Sequence, residues 1–197
     1  MNNYEYIIAS LPVITTDVKS AENLDPNEIR EWVLSQCSDA DKGLVNLLYE
    51  GFDDGKLNID FYEKALSDSN RFIKEYFAFD LEVRNAKVAF LNKALGRPAG
   101  TDVFMDSPMT EDLQKIDSVL SRTDILERER GLDDLMWDKI NILNTFDYFN
   151  IDAVLGFLAK MHIVERWLRL DDAKGREMFR TLVAEVRGTF KGVEYNG

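Results

Sequence analysis

FDLEVRNAKVAFL, residues 79–91, places Asp80, Arg84 and Lys87 inside a stretch whose apolar spacing is that of a buried helix. With successive residues set 100° apart around an axis, roughly residues 69–95 carry two apolar stripes. One runs through Phe72, Tyr76, Phe79, Val83, Phe90 and Ala94, the other through Ile73, Phe77, Leu81, Val88, Leu91 and Leu95. The three charges fall in the gap between the stripes. Lys74, Glu75, Glu82, Asn85, Asn92 and Lys93 take the opposite arc, which the pattern assigns to solvent. A helix covered on both stripes fixes the class of the fold, and a row of charges between them asks to be explained.

Working outward from that helix, DPNE supplies an N-cap at Asp25, a proline at the first helical position and Glu28 at the capping-box position, opening a helix through about Cys37. Ser38 caps a following helix that Gly51 interrupts, and a short helix is predicted near 59–66. GRPAGTDVFMDSPM, residues 96–109, is rich in turn formers and reads as the linker between two helical halves. Beyond it, helices are predicted near 110–120, 124–143, 151–169 and 172–187. Only the opening NYEYIIASL, β-branched and aromatic and closed by Pro12, reads as a strand or extended arm. The expected class is therefore nearly all-α: a single helical domain over 1–197, divisible into 1–95 and 110–188. Phe79, Asp80, Ala86, Phe90, Leu91 and Lys93 reappear 67 residues on as Phe146, Asp147, Ala153, Phe157, Leu158 and Lys160, a faint echo of a duplicated unit.

Composition narrows the function. The formal net charge is −12 and the acid excess is shared by both halves, so there is no basic patch to neutralise phosphates or hold anionic lipid. No leader resembling a signal peptide and no apolar run near the ~20 residues of a membrane span are present, and the expected location is cytoplasmic. The single cysteine, Cys37, reads as a small buried hydrophobe.

Motifs of known chemistry fail one by one. DGKLNID suggests a calcium loop, but with Gly55 at the sixth position phenylalanines stand at the third and twelfth ligand positions, so an ordinary turn is expected. One histidine, His162, cannot furnish the paired ligands of a dimetal carboxylate site or a zincin. No phosphate-cradling glycine loop occurs, and no nucleotide or other cofactor is expected. The neighbouring acids Asp133 and Asp134, and Asp171 and Asp172, are assigned to solvated faces or helix starts.

The row on the long helix remains. Asp80 and Arg84 have the i,i+4 order that favours an intrahelical pair, and Lys87 follows one turn on. Glu165, an acid among Val154, Leu158 and Leu168, is the candidate partner for Arg84 or Lys87. Three readings stay open: an ionic strut between two helices, a polar groove for a partner, or a catalytic pocket. In the first two, Asp80, Arg84, Lys87 and Glu165 form the ionic core or groove, and Asn85, Asn92 and Lys93 form a possible partner face.

YEYIIASLP, FDLEVRNAKVAFLNKALGRP, LERERGLDDLMWDKI and FDYFNIDAVLGFLAKMHIVERWLRLDDAKGREMF together resemble a bacterial family of unassigned function, DUF2764-like, encoded beside V-type ATPase subunits. The aromatic-Asp-apolar and Arg-Asn pattern at Asp80, Arg84 and Asn85 also resembles repeats of the socket-like C/d component of A/V-type rotary ATPases. The second unit departs from that pattern, with Ile151 and Asp152 where the Arg-Asn pair would fall. These resemblances imply a non-catalytic accessory or C/d-like subunit that braces or couples the central stalk and the membrane ring of a proton- or sodium-transporting complex. The implied partners are V-type ATPase subunits, and the implied place is cytoplasmic or peripheral at the inner face of the membrane. A transient assembly or regulatory protein for the same complex, and a carboxylate-based enzyme, are the alternatives.

Overall fold

The computed structural model describes residues 3–98, 100–107 and 112–170. Among these residues the chain is all-α: α1 (Tyr4–Ser10), α2 (Pro26–Gln36), α3 (Asp39–Glu50), α4 (Ile59–Ser67), α5 (Arg71–Leu95), α6 (Leu113–Leu120), α7 (Ile125–Leu143) and α8 (Ile151–Leu168), with a 3-10 turn at Val18–Ala21. The helix expected near 172–187 and the acids Asp171 and Asp172 lie outside the described residues. No described helix is long and apolar enough to cross a membrane.

The extended N-terminal arm is corrected to a helix. Asn3 caps it by accepting the Tyr6 N–H at 3.1 Å. Ile7 is 1% exposed, and Tyr4, Ile8 and Leu11 pack beside it on the core. Their i, i+3, i+4, i+7 spacing is helical, and burial of that face outweighs the modest β-preference of the residue types.

The other starts follow their caps. Asp25 accepts from Asn27 and Glu28, Ser38 from Asp41, and Asn70 from Ile73 at the head of α5. α5 ends where Gly96 turns left-handed at φ 65°, a conformation that costs glycine little. The head of DGKLNID is an ordinary turn, the preceding Asp53 accepting the Gly55 N–H at 3.0 Å, and its end, capped by Asn58, opens α4.

α5 is the central beam and touches α4, α6, α7 and α8. α8 also reaches back to α1, α2 and α3. One core cluster accordingly runs from Ile7 through Phe72, Phe77 and Leu81 to Leu155 and Ile163, across both predicted halves. The 67-residue echo does not map onto equivalent structure: Phe79 is buried within α5, whereas Phe146 is 86% exposed in the α7–α8 turn.

Residues 100–107 are more than a linker. They run back along α5 as a strap: Asn92 Nδ2 donates to the Thr101 carbonyl at 2.8 Å, Asn85 Nδ2 donates to that of Met105 at 3.0 Å, and the Phe104 ring lies against Arg84. The strap covers part of the arc that the pattern assigns to solvent. Asn92, held by the strap, is 3% exposed, contrary to expectation; Glu82, elsewhere on that arc, is buried too, and Lys93 stays exposed.

Candidate functional site: a charge-lined cleft

The gap between the two stripes of α5 opens into a cleft of about 360 Å³. Asp80, Arg84 and Lys87 line it from α5, Tyr62 from α4, Glu129 and Asp133 from α7, and Arg166 from α8. Asp54 and Leu57 close one end, and Val88 and Leu91 extend an apolar wall.

Within it the predicted pairings are rearranged. Asp80 accepts the Tyr62 hydroxyl at 2.7 Å, and no ion pair joins it to Arg84. Arg84 lays its guanidinium over the Phe104 ring, 3.9 Å from the centroid, and its buried Nε has no hydrogen-bond partner. Lys87 Nζ donates to both carboxylate oxygens of Glu129, at 3.0 and 3.2 Å. Glu165 meets neither base. It pairs with Arg169 one turn along its own helix, because its position on α8 turns it away from the row on α5.

Asp133, which the sequence pattern assigns to a solvated face, is the acid that this pattern misses. It is 8% exposed and accepts from Arg166 and from the Trp167 indole N–H, the latter at 2.6 Å. Arg166 also stands 3.8 Å from Glu129. The result is an ionic ladder, Lys87–Glu129–Arg166–Asp133, that ties α5 to α7 and α7 to α8. The signal in the sequence is the apolar company of Asp133, between Leu132 and Met136 on the buried side of α7.

The electrostatics follow from burial. Desolvation pushes the Asp80 carboxyl above its ordinary range, while the Tyr62 hydrogen bond and the Arg84 charge pull it down. Asp133 is likewise raised by burial and lowered by Arg166 and Trp167. Tyr76, fully packed beneath the cleft, is held well above the usual phenol range by burial and then by the fields of Asp80 and Asp133. Behind it, His162 stacks on Phe52 with centroids 4.0 Å apart, and burial lowers its imidazole to about 4. Cys37 is buried and its thiol is pushed up, the mark of an inert side chain.

Fold and cleft together define a helical protein with a polar, ion-paired interior groove. Residues 53–189 match the family described as protein of unknown function (DUF2764), and the chain belongs to that family. The match begins just before α4 and takes in every residue that lines the cleft, whereas α1 to α3 precede it. No curated protein and no solved structure matches the chain.

Proposed function

We propose that the protein is a non-catalytic accessory or C/d-like subunit of a bacterial V-type ATPase, bracing the central stalk against the membrane ring. The observation that carries this reading is the use made of the Phe79-Asp80 and Arg84-Asn85 pattern. Asp80 holds α4 through Tyr62, Asn85 holds the strap through Met105, and Arg84 supports Phe104 of the same strap. Groups spent on fixing one helix to its neighbours suit a body that carries load. Ile142, Phe146, Tyr148 and Phe149 stand exposed around the α7–α8 turn, which Arg71 pins through the Leu143 carbonyl at 2.7 Å and through Asp147. Exposed apolar groups on a fixed turn suit contact with another protein.

Tagged protein recovered from its own cells tests the proposal. A stoichiometric set of V-type ATPase subunits that survives washing is expected. Substoichiometric recovery would favour a transient assembly or regulatory factor instead, and a pull-down without those subunits would refute both.

A second reading, a carboxylate-based enzyme, has one observation in its favour: Asp80 and Asp133, both raised by burial, line a single cleft. Against it, both acids are held by donors of the fold, Asp80 by Tyr62 and Asp133 by Arg166 and Trp167.

A further inference from the structure

The three cations of the cleft are engaged unequally. Lys87 rests on Glu129, and Arg166 rests on Asp133 and Glu129. Arg84, among the described residues, makes no ion pair, and its buried Nε has no acceptor. Its plane is fixed by the Phe104 ring. A guanidinium held flat, with donors unspent, is set for a planar anion that can take two parallel hydrogen bonds.

The surroundings select among anions. Asp54, Asp80, Glu129 and Asp133 share the cleft, so a phosphate with nearly two charges meets strong repulsion, whereas a carboxylate brings one. Beyond Arg84 the wall is aliphatic, and Leu91, at its outer end, is 53% exposed. The complementary shape is a short aliphatic stem that ends in, or stands beside, a carboxylate.

We infer that the cleft receives an acidic side chain of a partner protein, with its carboxylate on Arg84 and neighbouring aliphatic groups on Val88 and Leu91. This deepens the proposed role in the ATPase and rests on it for the partner. The row on α5 thereby has two roles: Asp80 and Lys87 are used wholly within the fold, and Arg84, whose face supports the Phe104 ring, keeps its hydrogen-bond donors for another chain.

The test has two arms, both on the full chain. In the first, the Arg84 guanidinium N–H resonances are followed while butyrate, or its neutral isostere butyramide, is added. Butyrate is expected to shift the signals saturably and butyramide to leave them unmoved. Arg84→Lys, which keeps the charge and loses the fork, is expected to weaken butyrate binding roughly tenfold by calorimetry. Arg84→Gln is expected to abolish it, with circular dichroism confirming that each variant folds. An unmoved Arg84 signal, or an equal response to butyramide, overturns the inference.

In the second arm, tagged wild type and Arg84→Lys are recovered from cells, and V-type ATPase subunits are expected to fall roughly tenfold with the variant. Equal recovery overturns the docking role and assigns the site to a free carboxylate, while the proposed membership of the ATPase stands. Absence of those subunits from the wild-type sample overturns that membership, and the butyrate titration then decides the carboxylate specificity by itself.

Discussion

Tyr62 donates its hydroxyl to Asp80 at 2.7 Å across the α4–α5 interface. The tyrosine is fully buried and the carboxyl half-buried, so neither group is freely served by water. Tyr62→Phe should cost about 1–2 kcal/mol in urea unfolding, since it leaves an acid without its donor. The carboxyl is raised above its ordinary 3.8, so the folded state keeps this proton to higher pH than the unfolded chain does. Its contribution is therefore greatest at acid pH and is lost as pH rises through the folded value. Asp80→Asn, which can still accept from Tyr62, should gain stability over wild type at neutral pH and lose that advantage toward pH 4. An advantage that grew on acidification would contradict the assignment.

Two glycines, one within α3 and one at its C-cap, should respond with opposite sign. Gly43 lies exposed within the helix with nothing within 4 Å of an added Cβ, and Gly43→Ala should stabilise by about 0.5–1 kcal/mol through helix propensity. A Cβ on Gly51 would overlap the Phe77 ring and stand 2.7 Å from Phe61 Cζ. Both rings are buried and meet edge to face at 4.9 Å, so neither has room to yield. Gly51→Ala should cost about 1–3 kcal/mol, read from thermal melts of the two variants side by side.

Such local features are the legible part of the sequence. The cap at Asp25, the twin stripes of α5 as far as Val83 and its end at Gly96 are written within a few residues of where they act, whereas Leu91, Ala94 and Leu95, assigned to the same stripes, stand exposed. The ionic partners are not so written. Lys87 finds Glu129 42 residues away and Asp133 finds Arg166 33 residues away, distances at which helical spacing carries no information. The i,i+4 rule points Asp80 at Arg84, but a hydroxyl from α4 and a ring from the strap offer each a better site. The strap is illegible because glycine and proline mark that a chain turns, and say nothing of the surface it turns onto. The pattern therefore assigns Asn92 to solvent although the fold buries it.

The sole histidine gives a direct pH probe. His162 is half-buried, stacked on Phe52, and burial lowers its imidazole to about 4 against an ordinary 6.5, so the folded state resists the proton that the unfolded chain accepts. Stability from this group is complete above pH 6.5 and is lost as pH falls from there toward 4. Asp80 and Asp133, raised above their ordinary values, act in the opposite sense in the acid range, so the whole-protein profile mixes the two signs. His162→Phe isolates the histidine: the difference in unfolding free energy between variant and wild type should increase in the variant's favour between pH 6.5 and 4. A histidine ring proton that titrates in the folded protein near 6.5 would rule this out.

The two ends of the ionic ladder should differ in strength, which decides where the scaffold is stiff. Lys87 and Glu129 are over one third exposed, so solvent and salt screen them, and a double-mutant cycle with Lys87→Met and Glu129→Gln should return a coupling of about 0.5 kcal/mol that shrinks at 1 M salt. Asp133 is buried and serves two donors. Asp133→Ala strands the Trp167 indole N–H and removes the main acceptor of Arg166, and should cost about 2–3 kcal/mol, largely independent of salt. Urea unfolding of wild type and variant, each followed by circular dichroism, measures the loss. If the Lys87–Glu129 coupling proved the larger, the α5–α7 seam would be the rigid one. The measurement thus separates a body stiffened at α7–α8, leaving the Arg84 side of the cleft able to adjust to a partner, from one locked along α5.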